Sequence, residues 1–121
     1  VGRILSRYYI VRTAWLYGAR GANFVVTELR ILAERGEMKA VTDQRGTPCY
    51  AADLAGALLA VAAAPPGIYH FANTGIASWY DLAAAAARLG NELGILAGTA
   101  RVLPATTAEL GDRVTRPAYS A

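Results

Sequence analysis

Where an apolar run ends, three side chains carry the first chemical signal. Tyr8 to Val11 reads as a buried strand, and it stops in Arg12-Thr13-Ala14-Trp15-Leu16-Tyr17-Gly18. In an open α/β sheet, ligands bind at the carboxyl ends of strands. Thr13 and Tyr17 there supply two hydroxyls, and Trp15 supplies a flat apolar face, to one small molecule. A second stretch, Asp43-Gln44-Arg45-Gly46-Thr47-Pro48, sets a carboxylate, an amide and a guanidinium before a stiff Thr-Pro turn. Together the two stretches read as half of a binding cleft.

Those residues need elements to hold them, and the pattern supplies an alternation. Tyr8 to Thr13 is a strand, rich in Tyr, Ile and Val. Asn23 can cap a helix through its side-chain oxygen. Phe24, Thr27, Leu29, Ile31 and Leu32 give that helix a mostly apolar face, and Gly36 ends it as a left-handed cap. Met38 to Thr42 is a second strand and residues 43–50 a loop. Ala51 to Ala64 is an Ala/Leu helix stopped by Pro65-Pro66. Ile68 to Ala72 is a third strand and Asn73-Thr74-Gly75 a turn. Ser78-x-x-Asp81 opens a helix from Trp79 to Arg88 as a capping-box variant. Gly90, Gly94 and Gly98 weaken any helix beyond it. Val102 to Pro104 reads as a short strand and Thr107 to Leu110 as a single turn. Alternating strands and helices argue an α/β fold.

Composition narrows the function classes. The chain has 121 residues, which is one domain or part of one. Apolar residues make up 55% and charged residues 17%, enough for a real core, although the excess is largely small Ala. The charge of +3 is modest and the Arg residues are scattered. A nucleic-acid binder would show a clustered basic face or a known module, so no nucleic acid is expected. No run reaches the roughly 20 apolar residues of a membrane span. The opening Val1-Gly-Arg-Ile-Leu lacks the length and layout of a signal peptide. Cys49 is the single cysteine, which points to a reducing, cytoplasmic setting. A buried small side chain is the expected role for Cys49. His70, the one histidine, sits in an apolar run with no second metal ligand nearby, and it reads as a core residue. Asp53 reads as a first-turn charge favouring the helix dipole, and Ser78, Trp79 and Tyr80 as capping and packing residues.

The chain resembles dTDP-4-dehydrorhamnose reductases, extended short-chain dehydrogenases/reductases that act on nucleotide sugars. The strings are Val11-Arg-Thr-Ala-Trp-Leu-Tyr-Gly18, Asn23-Phe24, Val41-Thr-Asp-Gln-Arg-Gly-Thr-Pro48 and Ala51-Ala-Asp-Leu-Ala55. Gly67-Ile-Tyr-His-Phe-Ala-Asn73, Ser78-Trp-Tyr80 and Arg116-Pro-Ala-Tyr-Ser120 follow in family order. The resemblance implies NADPH- or NADH-dependent reduction of dTDP-4-dehydro-L-rhamnose to dTDP-L-rhamnose, for cell-surface polysaccharide. It implies Trp15 as a wall against the sugar ring and Thr13 where sugar and nicotinamide meet. It places Asn23 and Arg116 at the diphosphate, by a helix N-terminus and a guanidinium fork. Gln44 supplies a polar edge for sugar or base.

Two family features have no counterpart here. No G-x-G-x-x-G or close variant occurs, and no Tyr is followed four residues on by Lys; Lys39 is the only Lys. The first would cradle the coenzyme pyrophosphate, and the second transfers a proton to the carbonyl oxygen in this superfamily. Residues 1–121 therefore read as one incomplete domain, the substrate-binding part with the last Rossmann-sheet strands. The N-terminal coenzyme-binding Rossmann part and the catalytic pair are expected on other polypeptide, and no turnover is expected from this chain alone. Apolar surface and sheet edges left uncovered favour self-association, of which a homodimer is the simplest form. Two rival readings stand beside the first. One is a non-catalytic binding module of the same fold, like the regulatory subunits of methionine adenosyltransferase. The other is a reductase for another nucleotide sugar.

Overall fold

Strands and helices alternate as the patterning requires. The computed structural model describes residues 4–111 and 116–120; residues 1–3 of the opening segment lie outside them. Chain order begins β1 (Tyr9–Arg12), β2 (Leu16–Tyr17), α1 (Phe24–Arg35), β3 (Glu37–Val41) and β4 (Arg45–Gly46). It continues β5 (Cys49–Tyr50), α2 (Ala51–Ala62), β6 (Gly67–His70), β7 (Ala77–Ser78) and α3 (Trp79–Glu92). It closes with β8 (Arg101–Ala105), α4 (Thr107–Leu110) and β9 (Tyr119–Ser120).

Two parallel strand pairs carry the architecture. β1 pairs with β6 from Tyr9↔Gly67 to Arg12↔His70, and α2 packs against β1. β3 pairs with β8 from Glu37↔Arg101 to Val41↔Ala105, with α1 and α3 packed on it. Pro104 is tolerated in β8 because that strand is paired on one side only. Short ladders tie the halves together: β2 with β5, and β4 between β7 and β9. The first joins the segment after β1 to the loop after β3, and the second joins that loop to the start of α3 and to the C-terminal strand.

The core lies between α1, α3 and the β3–β8 pair. Leu32, Ala40, Ala83, Ala87, Leu96, Ala100 and Val102 form it, with Phe24, Leu29, Met38 and Tyr80 at its margin. Ala83, Ala87 and Gly90 fall on one face of α3 and are all buried. Small residues there bring the helix backbone close to its neighbours. Burying Leu32 alone contributes roughly 1.5–3 kcal/mol.

Helix ends follow the sequence signals. The Asn23 Oδ1 accepts from the Val26 N–H at 3.2 Å, and Gly36 closes α1 at φ 72°. Ser78 and Asp81 form a complete capping box on α3, and Thr106 and Glu109 form another on α4.

Three expectations are corrected. α3 runs to Glu92 instead of stopping at Arg88, because the absent side chain of Gly90 leaves room for Leu96 and Leu29. The 43–50 loop contains two short strands, β4 and β5, since its backbone finds ladder partners in β2, β7 and β9. His70 is not a core residue. It is exposed, because side chains alternate along β6 and His70 falls on its open face. Cys49 is fully buried, as expected of a small structural side chain.

Candidate functional site

Trp15 stands at φ 50°, the single positive-φ residue other than glycine among the described residues. Such backbone costs about 1–3 kcal/mol and persists only where its surroundings fix it. Here they do. The Trp15 indole stacks on Trp79 with ring centroids 3.6 Å apart and planes 8° from parallel. Phe24 leans on Trp79 at 4.3 Å and 52°. The Trp15 Nε1–H donates to the Ser120 Oγ at 3.2 Å. A Cβ placed on Gly46 would lie 2.6 Å from the Trp15 Cε2, closer than to Nε1 or Cζ2, so Gly46 presses on the ring face. At a 3.6 Å stack the Trp79 ring already fills one face, so Gly46 must cover the other. Trp15 therefore offers an indole edge to its surroundings, and the expectation of a bare flat wall is corrected.

That edge borders a cavity of about 190 Å³ lined by Trp15, Gln44, Trp79, Arg116, Pro117 and Ser120. A second cavity of about 250 Å³ adjoins it, walled mainly by Phe24, Met38, Val41 and Leu110. Gln44, Trp79 and Arg116 line both. The two cavities form one two-chambered cleft with Arg116 at their common border.

Gln44 is buried, and its Nε2 donates to the Thr107 Oγ1 at 3.0 Å. Asp43 grips the same residue, accepting from the Thr107 hydroxyl at 2.8 Å and from its backbone N–H at 3.0 Å. The Thr107 hydroxyl first, and then its N–H, hold the Asp43 carboxyl below its usual range. This latch joins the loop after β3 to α4, the element that precedes Arg116 in the chain. Asp81 is likewise held low by the Ser78 N–H, the Ser78 hydroxyl and, to a smaller extent, the Arg45 charge. It fixes the first turn of α3, and with it Trp79.

Thr13 and Asn23 do not enter the cleft. Thr13 lines a neighbouring cavity of about 340 Å³ with Arg12, Thr47, His70 and Ser120, and Ser120 is the common border with the Trp15 chamber. Asn23 lines a separate hollow with Tyr17 and Arg20. Its Nδ2 donates to the Gly18 carbonyl at 2.8 Å and its Oδ1 caps α1, so its side chain serves the loop and helix. Sequence reasoning missed Trp79 and Phe24. Both sat inside recognised strings, but each opens a helix beside a good capping signal, so packing explained them without a site. Among the described residues no cluster of acidic, His or Cys side chains could hold a metal.

The family description "RmlD substrate binding domain" matches residues 1–121. The chain belongs to the RmlD substrate-binding domain family. It is 48% identical over 118 residues to the dTDP-4-dehydrorhamnose reductase of Streptomyces griseus, covering 93% of this chain and 37% of that protein. It is 44% identical over 111 residues to the spore coat polysaccharide biosynthesis protein SpsK of Bacillus subtilis, covering 92% of this chain and 37% of the relative. The crystal structure of the Bacillus anthracis dTDP-4-dehydrorhamnose reductase, in complex with NADP, superposes with a TM-score of 0.80 at 40% identity. It covers 93% of this chain and 38% of that one. This RmlD-type domain thus spans little more than a third of the length of these relatives, and its α/β fold is that of the reductase structures.

The residues of the domain do not suit a dinucleotide. Its strand-to-helix turns carry no glycine-rich loop, and carboxylates occupy the first turns of α2, α3 and α4 through Asp53, Asp81 and Glu109. A pyrophosphate there would meet like charge. The first turn of α1 alone has no acidic residue. Among the described residues no helix is long and apolar enough to cross a membrane.

Proposed function

We propose that this domain recognises the nucleotide sugar for an NAD(P)H-dependent reductase that converts dTDP-4-dehydro-L-rhamnose to dTDP-L-rhamnose. The convergence of Trp15, Gln44 and Arg116 on one two-chambered cleft carries the reading. A nucleotide sugar has the matching layout: a flat base, a charged linker and a ring with an apolar side. Arg116 stands at the junction, where its fork suits the diphosphate. The Trp15 edge and Ser120 border the chamber for the deoxysugar, and Gln44 supplies polar edge contacts through its side-chain oxygen. The carboxylate-free start of α1, which Asn23 caps, turns a positive dipole end toward the same cleft, whose lining includes its first residue, Phe24. Thr13, across Ser120, faces the side from which the sugar meets the coenzyme.

Hydride is the nicotinamide's contribution to such a reaction. On this reading the coenzyme and the proton-transferring Tyr and Lys belong to polypeptide outside these residues, in keeping with the third of its relatives' length that the domain spans. A reducing, cytoplasmic setting suits the lone buried Cys49, and uncovered apolar surface favours a homodimer. The test is turnover by the full-length protein with dTDP-4-dehydro-L-rhamnose and NADPH or NADH, followed by loss of nicotinamide absorbance. The expected result is reduction with dTDP sugars preferred over UDP and GDP sugars. Coenzyme oxidation with none of these substrates would contradict the proposal.

A further inference from the structure

We infer that Trp79 is a positioning residue for the sugar chamber, setting the orientation of Trp15 in concert with Gly46. This rests on the nucleotide-sugar reading above. Trp15 leaves the strand through a left-handed backbone, so the alternation of side chains along a strand does not set its direction. Three neighbours determine it instead. Trp79 covers one face at 3.6 Å. Gly46 covers the opposite face so closely that no Cβ fits. Ser120 accepts the indole N–H at 3.2 Å. The clamp leaves only the ring edge for a ligand.

Trp79 is itself held on both sides. It is the first residue of α3, where Ser78 and Asp81 close a complete capping box. Phe24, the first residue of α1, leans on its ring at 4.3 Å. The indole stack thus links the ends of two helices to the turn after β1, and Trp79 borders both chambers of the cleft. Gly46 makes the assignment separable from direct contact. It is buried and lines neither chamber, and its ladder partner Ser120 is the acceptor of the Trp15 indole, so a change there reaches the ligand through this clamp.

The experiment uses full-length protein and three variants, Trp79→Leu, Trp79→Phe and Gly46→Ala. Each is followed by near-ultraviolet circular dichroism, by the dissociation constant of dTDP-L-rhamnose and by that of NADPH. The two stacked, immobilised indoles of the wild type should give a strong near-ultraviolet band. Trp79→Leu and Gly46→Ala should lose or distort it. Both should weaken dTDP-L-rhamnose by about five- to tenfold, the factor such a stack is worth, and leave NADPH binding unchanged. Trp79→Phe should weaken that band yet bind within about twofold of wild type, since a ring still covers the indole. Far-ultraviolet spectra identify any variant that fails to fold, and the remaining ones then decide. Folded Trp79→Leu or Gly46→Ala protein with wild-type dTDP-L-rhamnose affinity overturns the inference. Wild-type protein that binds NADPH but no dTDP-L-rhamnose overturns the functional reading itself, and this inference with it.

Discussion

Glu28 shows how far a residue's setting can depart from its chemistry. It lies on α1 four residues from both Phe24 and Leu32, and it is 1% exposed. Neither carboxylate oxygen has a hydrogen-bond partner among the described residues. Burial pushes its carboxyl up from 4.5 to about 8. An acid whose folded pKa is raised binds more protons folded than unfolded, so stability falls as pH rises through that interval. Its contribution is fully present below about 4.5 and is lost by about 8. Glu28→Met should therefore flatten the pH dependence of unfolding in that interval. It should add about 1–3 kcal/mol at its upper end, the cost of an unpaired buried polar group. Urea unfolding at both ends of the interval measures this; a variant less stable than wild type at the upper end would contradict it. Periodicity concealed this position, because a Glu on a helix ordinarily marks the solvated face. Trp15 was legible as a special residue, but its stacking partner lies 64 positions away and no local pattern connects them.

Elements were the most readable scale. Caps at Asn23, Gly36, Ser78 and Asp81 each stand where side-chain chemistry or backbone freedom requires. Strand centres were equally plain, since β1, β6 and β8 centre on short apolar runs and β3 alternates charged and apolar residues. The two-residue strands β2, β4, β5, β7 and β9 were not, because such pairings are made by tertiary contact and have no period to detect. The end of α3 was hidden for another reason. Gly90 lowers helix propensity by about 1 kcal/mol, yet the helix passes through it to Glu92. Contacts specific to this site outweigh the propensity. The Leu96 N–H donates to the Gly90 carbonyl at 3.0 Å, and the Asn91 Nδ2 donates to the Ala100 carbonyl at 2.8 Å. A Cβ on Gly90 would meet the Leu96 Cδ1 at 2.8 Å and the Leu29 Cδ2 at 3.2 Å. Leu96 is buried and has little room to move. Gly90→Ala should therefore destabilise the protein by about 1–2 kcal/mol, overpacking exceeding the propensity gain. A thermal melt gives the sign, and a raised midpoint would show that Leu96 yields freely.

At the scale of the whole molecule, the two halves of the chain differ in how they bury apolar surface. The β3–β8 half has a closed core between α1 and α3. The β1–β6 half is open: α2 has no buried residue, and Leu59 on it is 78% exposed. High apolar content read from the sequence thus divides into core and uncovered face, as the exposed-patch argument anticipated. The resemblance strings supply Trp15, Gln44 and Arg116, which line two adjoining cavities. They also led to Thr13 and Asn23, which open on adjoining hollows and not on the cleft itself. Motif order shows that residues share a family, but which side chains share a cavity depends on packing. On the proposed function, the cleft between Trp15 and Arg116 holds the nucleotide sugar. A crystal structure of the full-length protein with dTDP-L-rhamnose decides this. The deoxysugar is expected against the Trp15 edge beside Ser120, with Arg116 on the diphosphate. A nucleotide sugar bound elsewhere, with that cleft left empty, would contradict it.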